Sequence, residues 1–278
     1  MFHIIRDIQA SIRSLVILAF LTVAMPQIAI AAEHLSITGS STVAPLALEI
    51  AKRFEKLNPG IRIDVQTGGS SRGINDARRG LADIGMVSRA LKGTEKDLAA
   101  HTIATDGIGI ILHRDNPVAQ LTDDQIRAIY TGKIRNWSEL GGTDRPITVV
   151  NKAGGRSTLE LFLHHFGLGN SQIKASVIIG DNQQGIKTVA GNPGAIGYVS
   201  IGTAEYEEQR GIGIKRPIVN GAAASIASVR AGEFPLSRPL NLVTRGEISE
   251  WSKRFILFAQ SAAVDDLVEG QFFVSRQH

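Results

Sequence analysis

The sequence predicts an α/β fold built on parallel sheets. Short β-type runs alternate with amphipathic helical stretches along most of the chain. The joining segments are short and rich in Gly, Ser and Thr, with no Pro- or Ser-rich linker, low-complexity tract or short-period repeat. Size agrees, since 278 residues at 43% hydrophobic content suffice for one large domain or two ordinary lobes.

The elements follow in order. Residues 35–38 (LSIT) read as a strand. Residues 45–57 read as a helix, with Leu46, Ile50, Phe54 and Leu57 on one stripe and Glu49, Arg53 and Lys56 off it. Residues 62–66 (RIDVQ) alternate as a strand, 74–81 are helical, and 83–87 (DIGMV) and 108–113 (IGIILH) are buried strands. The rhythm then repeats. A helix at 122–130 takes Thr122 as N-cap, with Gln125 at the capping-box position. Strands at 148–151, 176–179 and 195–199 alternate with helices at 158–166, 183–190 and 203–209. A strand at 240–244 (LNLVT) precedes an amphipathic helix at 247–260, with Ile248, Trp251, Phe255 and Ala259 inward. Asn116-Pro117 and the GNPG run at 191–194 mark turns.

The N-terminus reads as an export leader. Arg6 and Arg13 form a short basic region, 15–25 (LVILAFLTVAM) is apolar, and Ala29-Ile30-Ala31 gives the small-residue cleavage pattern. The apolar run is shorter than the roughly 20 residues a spanning helix needs. A signal peptide at 1–32 thus leaves a soluble, exported chain of about 246 residues. Cysteine is absent, which excludes a disulfide scaffold, a thiol nucleophile, a Cys-ligated zinc site, an iron–sulfur cluster and a lipoprotein anchor. The net charge of +4 comes from scattered cations without a cluster of five, so a nucleic-acid partner is not expected. A mildly basic surface remains compatible with an anionic ligand.

Three loops share one design of strand, then Gly/Ser/Thr, then helix. They are Gly39-Ser40-Ser41-Thr42, Gly68-Gly69-Ser70-Ser71-Arg72-Gly73 and Gly154-Gly155-Arg156-Ser157-Thr158. A helix N-terminus leaves about four N–H groups unpaired and carries about half a positive charge. Glycine lets a ligand approach the backbone, and Ser or Thr adds a hydroxyl donor. One such loop is commonly just a helix cap. Three in one chain, two with an internal Arg, point to convergence on one small oxygenated anion at the carboxyl ends of the strands.

Competing motifs are weak. There is no Walker loop, no H-E-x-x-H, and no intact G-x-G-x-x-G after a strand. His164 and His165 are adjacent on a helix and point about 100° apart, which makes poor joint ligands. Gly69-Ser70-Ser71-Arg72-Gly73 does match G-x-S-x-G between a strand and a helix, so a secreted serine hydrolase using Ser71 is an alternative. It needs a later histidine in a suitable loop. His101, His113, His164 and His165 all lie on or beside regular elements, and His278 ends the chain.

Several segments together carry a family resemblance. They are Gly39-Ser40-Ser41-Thr42-Val43, the second Gly/Ser loop, 82–89 (ADIGMVSR), Asp106-Gly107-Ile108, 130–137 (YTGKIRNW) and 192–198 (NPGAIGY). With them, residues 33–278 resemble the periplasmic substrate-binding proteins of phosphate ABC importers. The resemblance implies a two-lobed type II periplasmic-binding-protein fold, with a ligand cleft between the lobes and two hinge crossings. The expected first lobe is 33–113 plus 215–278, and the second is 114–214.

By the same resemblance, inorganic phosphate sits between the lobes on backbone N–H groups, hydroxyls and an arginine. It is then delivered to an ABC permease in the inner membrane by a periplasmic monomer that needs no cofactor or metal and is not an enzyme. The implied ligand-binding residues are Ser40, Ser41, Thr42, Ser70, Ser71, Arg72, Ser88, Arg89, Lys152, Arg156, Ser157 and Thr158. Two departures stand out. Where the family pattern reads R-x-x-G-S-G-T, this chain has Lys152, and Arg156 stands where a Ser is expected, so the guanidinium fork is expected from Arg156. Ser88 is followed by Arg89, where some members carry an Asp that accepts the ligand's proton. Asp106 and Asp181 are the replacement candidates. Without such an acceptor, sulfate or molybdate is an alternative ligand. An exported sensor or adhesion module on the same fold is a further one.

Overall fold

The computed structural model describes residues 33–277, and the signal-peptide reading of 1–32 lies outside the described residues. The first strands are β1 (Glu33–Gly39), β2 (Ile61–Thr67) and β3 (Ile84–Val87), separated by α1 (Ala44–Leu57) and α2 (Ser70–Arg79). These strands are parallel, as the short βαβ connections require. Next comes β4 (Leu98–His113), a strand of 16 residues. The second half brings β5 (Gln120–Leu121), α3 (Asp123–Tyr130), β6 (Thr148–Lys152), α4 (Ser157–His165), β7 (Val177–Ile179), α5 (Asn182–Ala190), β8 (Ala195–Ser200) and α6 (Ile201–Gln209). The chain then forms β9 (Ile214–Lys215), β10 (Ile218–Val219), α7 (Ile226–Arg230), β11 (Ser237–Arg245), α8 (Glu250–Ala259) and α9 (Asp265–Gly270).

The main strands form one nine-stranded sheet in the order β2-β1-β3-β11-β4-β8-β6-β7, with β9 also on β4. β4 changes partners along its length. Leu98–Gly107 lies antiparallel to β11, and Ile108–Leu112 lies antiparallel to β8. Two main cores correspond to these halves. One gathers Ile37, Ile50, Phe54, Ile84, Leu242 and Phe255 under α1, α8 and α9. The other gathers Ile110, Tyr130, Trp137, Phe162, Ile196 and Tyr198, with the Phe162 and Tyr198 rings stacked at 4.0 Å.

The sequence placed the lobe crossings at 113/114 and 214/215. Packing moves the change of neighbours at both. Ile108 and Ile110 sit in the second core, and Val219 and Leu236 pack against it. Ala224, Val229 and Phe234 pack on Ile201 at the start of α6. Strand partners therefore change at 107/108, and the chain returns to β3 and the first part of β4 where β11 begins at Ser237. At that point Ile108 N–H donates to Leu236 O at 3.1 Å, which ties the two crossing segments together.

Most predicted elements stand within a few residues of their observed bounds. The capping box of α3 forms in both directions, Gln125 N to Thr122 Oγ1 at 3.1 Å and Thr122 N to Gln125 Oε1 at 2.8 Å. Among the helices the largest shift is α2, which begins at Ser70 and absorbs the Gly/Ser run into its first turn. Gly73 makes this possible. A Cβ there would stand 2.7 Å from Met86 O and 2.8 Å from Thr38 O, so the helix lies directly on β1 and β3. Residues 98–107 of β4 are strand although their sequence (LAAHTIATDG) alternates poorly, because pairing with β11 decides their conformation.

Candidate anion site

Each predicted loop connects a strand end to a helix start, and the structure adds a fourth of the same kind. β1 leads through Ser40–Thr42 to α1, β2 leads to Ser70 in α2, β6 leads to Ser157 in α4, and β7 leads through Gly180-Asp181 to Asn182 in α5. Hydrogen bonds join all four helix starts around one guanidinium, that of Arg238. Arg238 Nη1 donates to Thr158 Oγ1 at 3.0 Å and to Ser88 Oγ at 3.3 Å, and Nη2 donates to Thr42 Oγ1 at 3.2 Å. Asn182 Nδ2 reaches Thr42 Oγ1 at 3.1 Å. Ser40 Oγ donates to Ser88 Oγ at 3.0 Å, and Ser88 N–H donates to Ser70 Oγ at 3.2 Å. Four helix starts joined in one hydrogen-bonded cluster around a guanidinium give a positive, donor-rich centre.

Charge sharpens that centre. Arg238 and Asp106 are buried at 2% and 0% exposure and form an ion pair at 2.9 Å. Asp106 spends its second oxygen, Oδ1, on Gly202 N–H at 3.1 Å. Lys152 is also buried, and its Nζ donates to Asn182 Oδ1 at 2.8 Å. Burial, reinforced by the Arg238 charge, pushes the Lys152 ammonium down to about 7, and Asp181 opposes that shift. Tyr198 OH fixes the backbone here, accepting from Lys152 N–H at 3.3 Å and donating to Asn151 Oδ1 at 2.6 Å. Ser157 Oγ is buried with no hydrogen-bond partner in the protein. A polar group buried in that way costs free energy unless a ligand or water meets it. Chemically, the site can hold a small anion with many oxygens, since donors converge from every side and Lys152 adds a second cation to Arg238.

The structure sorts the residues read from the sequence. Ser40, Thr42, Ser70, Ser88, Lys152, Ser157 and Thr158 are all buried together in this cluster. Ser41 and Ser71 stand beside it, half-buried, and Ser71 N–H donates to Gly155 O at 3.2 Å. The three sequence-assigned arginines turn elsewhere. Arg72 pairs with Asp76 at 3.0 Å on the surface. Arg89 pairs with Glu95 at 2.7 Å and Glu160 at 3.1 Å, and its guanidinium holds the Glu95 carboxyl below the usual range. Arg156 donates Nε to Gly180 O at 2.5 Å and Nη1 to Gly68 O. The guanidinium at the centre of the cluster is that of Arg238, while Arg156 clasps main-chain carbonyls of two facing loops. Gly69 permits the clasp, since a Cβ there would meet Arg156 Nη1 at 2.3 Å, and its φ of +91° suits glycine.

The two replacement candidates differ. Asp106 is engaged at both oxygens, whereas Asp181 caps α5 with Oδ1 alone, which accepts from Gln184 N–H at 2.8 Å. The 130–137 and 192–198 segments meet each other where Trp137 Nε1 donates to Gly194 O at 2.9 Å, and they shape the second core. Sequence reasoning missed Arg238 and Asn182. For Arg238 the available signal was an arginine at the start of a predicted strand, two residues before the LNLV run.

Comparison with known proteins agrees with this geometry. Residues 26–263 match the family described as PBP superfamily domain. The phosphate-binding protein PstS of Bacillus subtilis is 30% identical over 83% of this chain and 76% of its own length. A solved substrate-binding protein from Clostridium perfringens with bound phosphate is 36% identical, with a TM-score of 0.82 over 88% of this chain and all of that one. An ABC-type phosphate transport receptor from Vibrio cholerae is 28% identical, with a TM-score of 0.71 over 87% of this chain and all of that one. Sequence and shape thus lead to the same place, and the chain belongs to the PBP superfamily, among the PstS-type phosphate-binding proteins.

Proposed function

We propose that this chain binds inorganic phosphate in the Arg238 cluster, between two lobes, and hands it to an ABC permease. The observation that carries this reading is the gathering of four helix N-termini around two buried cations, Arg238 and Lys152, with Asp106 as the one buried carboxylate among them. The named activities of the Bacillus and Vibrio relatives and the phosphate in the Clostridium structure support it. The first lobe spans 33–107 and 237–277 and the second spans 108–236. The cleft closes as Arg238, Asn182 and Arg156 reach across it. Phosphate is held by Thr42, Ser88, Ser157, Thr158, Arg238 and Lys152, with Ser40 and Ser70 orienting Ser88.

The protein works in the periplasm as a monomer without metal or cofactor. The leader-like N-terminus supports export, and among the described residues no helix is long and apolar enough to cross a membrane. It is a binding protein and not a hydrolase. Ser71 lies in the first turn of α2, where no histidine among the described residues hydrogen-bonds it, and His101 and His165 contact Thr244 and Asp123 instead.

Calorimetry with phosphate, sulfate and molybdate tests the reading. Phosphate should bind near micromolar, about −8 kcal/mol. A dozen charge-assisted hydrogen bonds, less ordering and desolvation costs, supply that amount. Silence with all three anions overturns the proposal. Sulfate is the second reading, because Asp106, the carboxylate inside the cluster, is engaged at both oxygens and is not free to reject a ligand without a proton.

A further inference from the structure

A second cavity lies away from the anion cluster, against the segments that cross between the two main cores. Its volume is about 290 Å³, and its wall includes Ile108, Ile110, Phe166, Phe234 and Leu236. Ile108 and Leu236 are the residues whose backbones are bonded at the crossings. A cavity of about 150 Å³ with an apolar lining already binds benzene, so this one has room for a ring with a short substituent.

Acidic groups dominate its polar lining. Asp123 and Glu233 line it together with His165 and Asn220, and no Lys or Arg does. Asp123 is the first residue of α3, and its two oxygens differ. Oδ2 meets His165 Nε2 at 3.2 Å, whereas Oδ1 is buried and finds no hydrogen-bond partner in the protein. A carboxylate oxygen without a donor carries a standing desolvation cost, which a charged donor brought by a ligand would offset. The apolar wall also excludes water around any ion pair formed there, which strengthens it. Ligand sites on proteins have this make-up, an apolar pocket with a few fixed polar groups.

We propose that this cavity is a binding site for a small organic ammonium ion with an apolar body, the nitrogen on Asp123 and the body between Phe166 and Phe234. The site is independent of the anion cluster and of the phosphate reading.

Benzylammonium is a suitable probe, with benzyl alcohol as its neutral partner in shape. Ligand-observed NMR and calorimetry on the full exported chain should show saturable benzylammonium binding, at least tenfold tighter than benzyl alcohol. Asp123→Asn keeps the shape and removes the charge, and it should erase that preference. Ala222→Leu narrows the cavity without touching Asp123 and should weaken both ligands together, and thermal unfolding checks that each variant is folded. Absence of saturable benzylammonium binding overturns the proposal. So does an Asp123→Asn protein that still prefers benzylammonium tenfold.

Discussion

Arg238 and Asp106 face each other directly across β11 and β4, and Nε and Nη2 of the arginine converge on one oxygen, Asp106 Oδ2, at 3.2 and 2.9 Å. The carboxylate holds the guanidinium edge-on and leaves Nη1 and part of Nη2 facing Ser88, Thr158 and Thr42. A guanidinium fixed in this way is preorganised, so binding an anion costs it little further ordering.

Arg238→Met should abolish measurable phosphate binding, a loss beyond about a hundredfold, since two charge-assisted bonds at about 1.5–3 kcal/mol each disappear. It should also lower stability by about 3–5 kcal/mol, because Asp106 is left charged and buried without a partner. Adding Asp106→Asn should recover most of that stability and none of the affinity. Urea unfolding and calorimetry read the two effects, and a double variant no more stable than the single one would refute the pairing argument.

Arg156 should behave differently. Its guanidinium holds Gly68 and Gly180 carbonyls, so Arg156→Ala should loosen the closed cleft and weaken phosphate about tenfold, while the order of preference among oxyanions stays the same. A changed order in parallel titrations would mean that Arg156 touches the anion itself.

Lys152 makes both stability and binding depend on pH. Its folded value of about 7 lies below the ordinary 10.5, so between those limits the unfolded chain holds a proton that the folded chain lacks. Stability of the ligand-free protein therefore rises with pH from about 7 toward 10.5, and that gain is lost as pH falls back to 7. An anion beside Nζ raises the lysine's affinity for its proton, so phosphate binding takes up a proton near and above neutrality. Denaturation at pH 7 and pH 9, with calorimetry in buffers of different ionisation heat, should show both slopes. Lys152→Met should remove its share of each, and unchanged slopes in that variant would exclude the lysine.

Ser157→Ala should act with opposite signs on stability and affinity. Removing a buried hydroxyl without a partner leaves the ligand-free protein as stable or slightly more so, whereas phosphate binding weakens about fivefold to tenfold. Thermal unfolding with and without phosphate separates the two. A destabilised ligand-free variant would show that the hydroxyl already serves the fold.

The sequence made local chemistry legible and left remote chemistry hidden. Loops whose donors come from adjacent residues, such as Ser40–Thr42 and Ser157-Thr158, can be read from glycine, hydroxyl and helix-start signals alone. Arg238 could not, because its partner Asp106 lies 132 residues away and only the antiparallel register of β11 on β4 brings them together. Arg89 shows the reverse situation. Its place after Ser88 at a strand end suggested a ligand contact, yet Glu95 six residues on, together with Glu160, claims the guanidinium. Asn182 was hidden by its short strand, since β7 has three residues and its loop lacks the Gly/Ser run of the others.

The double allegiance of β4 has a mechanical consequence. Asp106 stands just before the point where that strand changes partners, and Arg238 is the second residue of β11, where the chain returns. On the two-lobed closure proposed above, the ion pair would be mounted at the fulcrum, and a fulcrum moves least when its arms swing. An open cleft would then already present Arg238 beside Thr42 and Ser88, and closure would bring Ser157, Thr158 and Lys152 to it. Capture is then set by steering toward a stationary target, and escape by how long the arms stay shut.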